Sequence, residues 1–259
     1  WGRYTFLGFD PKEEIAFTGG KNPRGRIEEV LKEYKSPRME NLPSFTGGLV
    51  GYFSYDYVKY SNPKLKLDAK YEEGFKDVDV MLFDKVIAFD NVKQKIIIMV
   101  TVKADELEKN YEDAVQTIKK IAKLIIRVDM KKEQPGCLKT EFKPLFQKDE
   151  YCRMVENAKE YIYQGDIFQV VLSNRLEAEY EGSLLNTYRI MRTTNPSPYM
   201  FYFSSDDMEV AGASPETLVK LENGVLHTFP LAGTRPRGKD RQEDQIGRAS
   251  CRERVYLQV

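Results

Sequence analysis

A chain of 259 residues with 41% hydrophobic content is long enough for one large domain or two ordinary ones, and apolar enough to build a core. Its 40 basic and 40 acidic residues balance, with lysines interleaved among Glu and Asp along presumed helices, which excludes a polyanion-binding protein and points to no nucleic-acid partner. No run approaches the ~20 consecutive apolar residues of a membrane span, so no membrane partner is expected either.

The opening WGRYTFLGFD carries neither a start methionine nor a basic region followed by an apolar run. This reads as a chain that begins inside a reading frame, with no visible signal peptide. Cys137, Cys152 and Cys251 have no CxxC spacing and cannot all pair, which fits a reducing, cytoplasmic location. Ile27, Val30, Leu31 and Tyr34 recur at the spacing of one helical face, opened by Asn22 and Pro23 and closed by Pro37. Asp79 to Asp90 and Lys95 to Val102 read as an antiparallel hairpin around Asn91, and an amphipathic helix follows from Asp105 to Arg127. The polar stretch Asp129 to Pro144 breaks the periodicity and is the linker candidate.

Beyond it, Tyr151, Val155, Ala158 and Ile162 mark a helix ended by Gly165. Ile167 to Tyr180 reads as a long strand, and Ser183 as the cap of a helix reaching Thr194. Tyr199 to Phe203 is an apolar strand expected to be buried on both faces, and Asn223-Gly224 suits a two-residue turn between Glu216–Leu221 and Val225–Phe229. Hairpins separated by long helices predict an α/β protein of the α+β type with large antiparallel sheets. The run Ile246 to Val255 looks like one reading frame of a sequencing adapter. It is set aside from the fold as a non-native tail.

The most site-like segment is Pro230-Leu-Ala-Gly-Thr-Arg-Pro-Arg-Gly238, which leaves an apolar strand and gathers Gly233, Thr234, Arg235 and Arg237 in a short loop. Close backbone approach at Gly233, a hydroxyl at Thr234 and forked guanidinium groups suit a carboxylate ligand, at about 1.5–3 kcal/mol per charged hydrogen bond. An ordinary turn with surface ion pairs is the bland alternative. His227, the only histidine, sits in an apparent strand and reads as structural. Cys152, on an amphipathic helix with no neighbouring base, does not read as a nucleophile.

This loop, with GDIFQVVLS at Gly165 to Ser173, NPSPYMFYF at Asn195 to Phe203, GASPETLVK at Gly212 to Lys220 and GGLVGYFSYD at Gly47 to Asp56, resembles the large, chorismate-binding subunits of anthranilate synthases. The resemblance runs from about Gly2 to about Asp244. It implies a sandwich of two large, mostly antiparallel, orthogonally packed sheets with outer helices, here incomplete and shortened at both ends. The implied regions are an N-terminal, inhibitor-side part over 1–130, a linker over 131–144, the first part of a chorismate-binding domain over 145–245, and the non-native tail over 246–259.

By position, the resemblance implies that Gly233 and Thr234 contact chorismate, that Ala232 lies on the ammonia side without being a nucleophile, and that Pro198, Tyr199 and Met200 line a tryptophan inhibitor pocket. A Pro-Tyr-Met wall with a polarizable sulfur suits an indole, although a core strand edge would carry the same residues. The implied reaction converts chorismate and ammonia to anthranilate and pyruvate, the first committed step of tryptophan biosynthesis. It uses Mg²⁺ whose ligands are expected beyond Asp244, and ammonia from a glutamine amidotransferase subunit. No metal ligand is assigned in this chain, and the chain by itself is expected to be inactive. The rival large subunit of aminodeoxychorismate synthase carries a nucleophilic lysine where Ala232 stands. A non-catalytic tryptophan-binding polypeptide is the rival from another class.

Overall fold

The computed structural model describes residues 2–19, 22–62, 64–66, 74–127, 134–229, 231 and 238–243. The chain divides into two compact units, Trp1–Lys131 and Lys132–Val259.

The first unit contains β1 (Tyr4–Gly8), β2 (Glu13–Phe17), α1 (Arg24–Glu33), β3 (Gly48–Phe53), a 3-10 turn (Tyr55–Tyr57), α2 (Val58–Ser61), β4 (Val78–Phe83), β5 (Lys85–Asp90), β6 (Lys95–Val100) and α3 (Leu107–Ile126). Its strands form two antiparallel sheets of three, ordered β2-β4-β3 and β1-β5-β6. The run Asp79 to Asp90 is therefore two strands in two sheets rather than one arm of a hairpin. Asp84 makes the break. Its carbonyl accepts from Thr101 N–H and its carboxylate faces Lys12 and Lys85 at 3.7 Å, so a charged residue turns an otherwise apolar run from one sheet into the next. Asp90 closes the hairpin to β6 by accepting from the amides of Val92 and Lys93, as Asx turns do.

The core of this unit follows strand parity. Val78, Val80 and Leu82 alternate on one face of β4 and meet Ile15 of β2 and Val30 of α1, with Ile27 and Tyr34 packed alongside. Each buried Val or Leu contributes about 1.5–3 kcal/mol. A second cluster gathers Val86, Ala88 and Met99 against Phe45 and Phe83. The buried Asp77 carboxylate accepts from Lys59 Nζ at 2.7 Å, Tyr60 Oη at 2.8 Å and Gly19 N–H at 2.9 Å, which ties the segment after α2 to the end of β2. Burial pushes this carboxyl up, but the three donors outweigh it and hold it below its ordinary range.

The second unit contains β7 (Cys137–Leu138), β8 (Lys143–Pro144), α4 (Lys148–Gln164), β9 (Leu176–Glu177), β10 (Tyr180–Glu181), α5 (Leu185–Thr194), β11 (Tyr199–Ser204), β12 (Glu209–Ser214), β13 (Thr217–Glu222) and β14 (Val225–Phe229). Among the described residues its strands pair as antiparallel ribbons of two, β7 with β10, β8 with β9, β11 with β12, and β13 with β14, and a single parallel bridge joins Pro135 to Ser183. The α4 helix ends on Gly165, whose φ of 83° only glycine adopts without strain. Asn223 and Gly224, at φ 53° and 79°, make the two-residue turn that their identities predict.

Three expectations need correction. The long strand over Ile167 to Tyr180 is two short strands, because only residues 176–177 and 180–181 find partners. Those partners, β7 and β8, sit inside the polar stretch read as a linker. The strand expected to be buried on both faces is not: Tyr199 is 42% and Phe201 46% exposed, because they lie on the face of the β11–β12 ribbon that α5 leaves open. Among the described residues of this unit no hydrophobic side chain is fully buried, whereas the first unit carries the whole list of core residues.

Candidate functional site

Three of the sequence motifs meet at one end of the β11–β12 and β13–β14 ribbons. Tyr199 opens β11 and pairs with Ser214, the last residue of β12. Ser214 Oγ accepts from Glu216 N–H, so the Ser-Pro-Glu step turns the chain directly into β13. Tyr199 Oη then lies 2.5 Å from Thr217 Oγ1, which joins the two ribbons. Thr217 faces Phe229 at the end of β14, and Glu216 Oε1 accepts from Leu231 N–H at 3.0 Å. Leu231 belongs to the sequence segment that carries Gly233, Thr234, Arg235 and Arg237. The NPSPY, GASPET and PLAGT segments are thus brought together by hydrogen bonds, although roughly 15 residues separate each from the next.

Pro230 and residues 232–237 lie outside the described residues, and with them Ala232, Gly233, Thr234, Arg235 and Arg237. The tail over 246–259 and Cys251 lie outside them as well. What is described on either side is Leu231 and Gly238, after which Asp240 accepts from the amides of residues 242 and 243.

Strand alternation separates the residues assigned to the inhibitor pocket. The pairs Met200–Ala213, Tyr202–Ala211 and Ser204–Glu209 share one face of the β11–β12 ribbon, while Tyr199, Phe201 and Gly212 share the other. The first face is covered by α5. The Tyr188 and Tyr202 rings lie 5.9 Å apart, and Met200 is half-buried, its sulfur accepting from Ser197 N–H at 3.3 Å. On the second face the Phe201 ring occupies the space a Cβ at Gly212 would need, coming within 2.2 Å of it. Met200 and Tyr199 therefore present their side chains to opposite faces. Pro198, exposed, precedes both.

Sequence reasoning missed a polar node on the α5 face. Glu209 accepts from Leu184 N–H at 2.5 Å and from Tyr202 Oη at 2.9 Å, while Ser183 Oγ caps Leu185 N–H and lies 3.5 Å from Tyr202 Oη. Burial pushes the Glu209 carboxyl up, but the Leu184 amide, Tyr202 and Ser183 outweigh it and hold it below its ordinary value. Burial, and after it the hydrogen bond to Glu209, push the Tyr202 phenol up against the Ser183 contact, which lowers it. A charged residue in strand register with Ala211 and Ala213 was a usable signal. Its donors, the Leu184 amide 25 residues upstream and the Tyr202 hydroxyl 7 residues upstream, were not.

His227 faces Lys220 across the β13–β14 ribbon and stacks on Phe229, and no acid or nucleophile joins it there. Cys137 and Cys152 are free and exposed. A groove of about 460 Å³ in the first unit includes Lys12, Asp84, Lys85, Lys103, Asn110 and Asp113 in its lining. All three lysines are ion-paired, to Asp84, Asp10 and Glu33 respectively, so the groove offers an anion no uncompensated cation from them. Among the described residues no three His, Cys, Asp or Glu side chains group as metal ligands, and no helix is long and apolar enough to cross a membrane.

The family model described as chorismate binding enzyme matches residues 1–253. The chain belongs to the chorismate binding enzyme family. Within that family it is 40% identical over 248 residues to a protein of Schizosaccharomyces pombe called probable anthranilate synthase component 1, covering 94% of this chain and 50% of that one. It is 37% identical over 270 residues to anthranilate synthase component 1 of Acetivibrio thermocellus, covering 95% and 54%. The crystal structure of anthranilate synthase component I from Streptococcus pneumoniae superposes with a TM-score of 0.76 at 28% identity, over 96% of this chain and 56% of that one. The chain thus shares the mixed α and β fold of that component, and spans about half the length of the relatives it matches.

Proposed function

We propose that this chain is part of the large subunit of an anthranilate synthase, which converts chorismate and ammonia to anthranilate and pyruvate. The observation that supports this most is the meeting of the NPSPY, GASPET and PLAGT segments through Tyr199, Glu216, Thr217 and Leu231. In this reading the loop held at Leu231 presents the Gly233 amide and the Thr234 hydroxyl to the carboxylates of chorismate, and Arg235 and Arg237 add positive charge beside them. Ala232 supplies no nucleophile, and its methyl group leaves room for free ammonia at the ring carbon, where a lysine would form a covalent adduct.

The same reading assigns Pro198, Tyr199 and Met200 to a tryptophan inhibitor pocket. Met200 and Pro198 contribute from the α5 face, and Tyr199 through its backbone or the edge it shares with Thr217. Ammonia is supplied by a glutamine amidotransferase subunit, and the protein works in the cytoplasm. The described residues hold no grouping of three acidic, His or Cys side chains for the Mg²⁺ that the family resemblance implies.

The test is to identify what the full-length protein makes from chorismate with ammonium and Mg²⁺. Anthranilate and pyruvate in equal amounts support the reading, and Ala232→Lys should depress their formation. 4-Amino-4-deoxychorismate as the product would overturn it.

A further inference from the structure

We propose that Glu209 is a positioning residue for the inhibitor strand, locking α5 to the β11–β12 ribbon at the end opposite Met200; this deepens the tryptophan-pocket reading and rests on it. The α5 helix begins where Glu209 accepts from Leu184 N–H and Tyr202 Oη. It ends at Thr194, and the four residues Asn195 to Pro198 return the chain to the start of β11. The helix and the strand are therefore two sides of one closed element, with the Glu209 node at one end and Pro198 to Met200 at the other.

Tyr202 connects the two ends. It stands two residues from Met200 on the same face, is held by Glu209 through its hydroxyl, and packs its ring 5.9 Å from that of Tyr188 in the middle of α5. The carboxylate also takes the place of a cap for the helix: it satisfies one first-turn amide with a negative charge, while Ser183 Oγ satisfies the next. Losing it frees the helix start and the Tyr202 hydroxyl together. The helix then shifts along the ribbon, and the Asn195 to Pro198 turn shifts with it. Glu209 touches neither proposed ligand. It acts through Tyr202 and α5.

The experiment compares wild type, Glu209→Ala, Glu209→Gln and Tyr202→Phe in the full-length protein, measuring tryptophan affinity by titration and the KM for chorismate. Glu209→Ala should weaken tryptophan about tenfold while KM stays within about twofold, with Glu209→Gln and Tyr202→Phe falling between it and wild type. Met154→Ala in α4, matched for loss of melting temperature, should leave tryptophan affinity unchanged. If Glu209→Ala does not fold, Glu209→Gln and Tyr202→Phe decide by the same measurements. Wild-type affinity in the Glu209 and Tyr202 variants, or an equal loss in Met154→Ala, overturns the role of Glu209 alone. Failure of the wild-type protein to bind tryptophan overturns the pocket reading, and this proposal with it.

Discussion

Tyr199 and Thr217 join two separate β-ribbons through their hydroxyls, 2.5 Å apart, at the point where three sequence motifs converge. Tyr199→Phe removes this one contact and keeps the ring. Because Tyr199 is substantially exposed, the stability cost should be small, about 0.5–1 kcal/mol by chemical denaturation. The larger effect is expected on the KM for chorismate, because the end of the ribbon that carries Leu231 and the loop loses a tie. A KM unchanged from wild type would mean that the Tyr199–Thr217 contact does not hold the loop.

Acid stability should depend on Asp90. Its carboxylate accepts from Nε and Nη2 of Arg3 and from the amides of Lys93 and Val92, and the Arg3 guanidinium first among these holds its pKa down to about 2 against the ordinary 3.8. A carboxyl whose pKa is lowered on folding stabilises the fold above the unfolded value and loses that contribution as pH falls through the folded one. The urea midpoint of wild type should therefore drop between about pH 4 and pH 2. Asp90→Asn should be less stable at pH 7 and lose less over that window. Parallel pH curves for the two proteins would refute the assignment.

Hydrogen exchange should distinguish the two units. Amides of β4, β5 and α1, which surround Val30, Val80, Leu82 and Val86, should be among the slowest to exchange. Those of β11 to β14, in ribbons with both faces partly open, should exchange orders of magnitude faster in the chain of this sequence. Uniform protection across both units would contradict the burial pattern.

Much of this was legible in the sequence, and for identifiable reasons. The α1 helix, α4 with its Gly165 C-cap, α5 behind Ser183 and the Asn223-Gly224 turn were readable because each is set by local spacing and by contacts within a few residues, such as Asn22 to the Arg24 amide and Ser183 to the Leu185 amide. The division at Asp84 and the loss of the strand over residues 167–175 were not, because both depend on which distant segment pairs with which. The same holds at the site. Met200 and Tyr199 were visible as candidates, and strand alternation alone puts them on opposite faces, but which face α5 covers depends on packing between distant segments. Glu209 acquires its meaning from the Leu184 amide.

The central claim, an anthranilate-forming enzyme regulated by tryptophan at β11, is tested most directly by the initial rate of anthranilate fluorescence. That rate is followed against chorismate at several tryptophan concentrations, in the full-length protein and its Met200→Thr variant. Tryptophan is expected to suppress the wild-type rate. Met200→Thr is expected to weaken that inhibition by about 1–3 kcal/mol of lost apolar contact while the KM for chorismate stays nearly unchanged. Inhibition unaltered by Met200→Thr, or equal damage to inhibition and to KM, would contradict it.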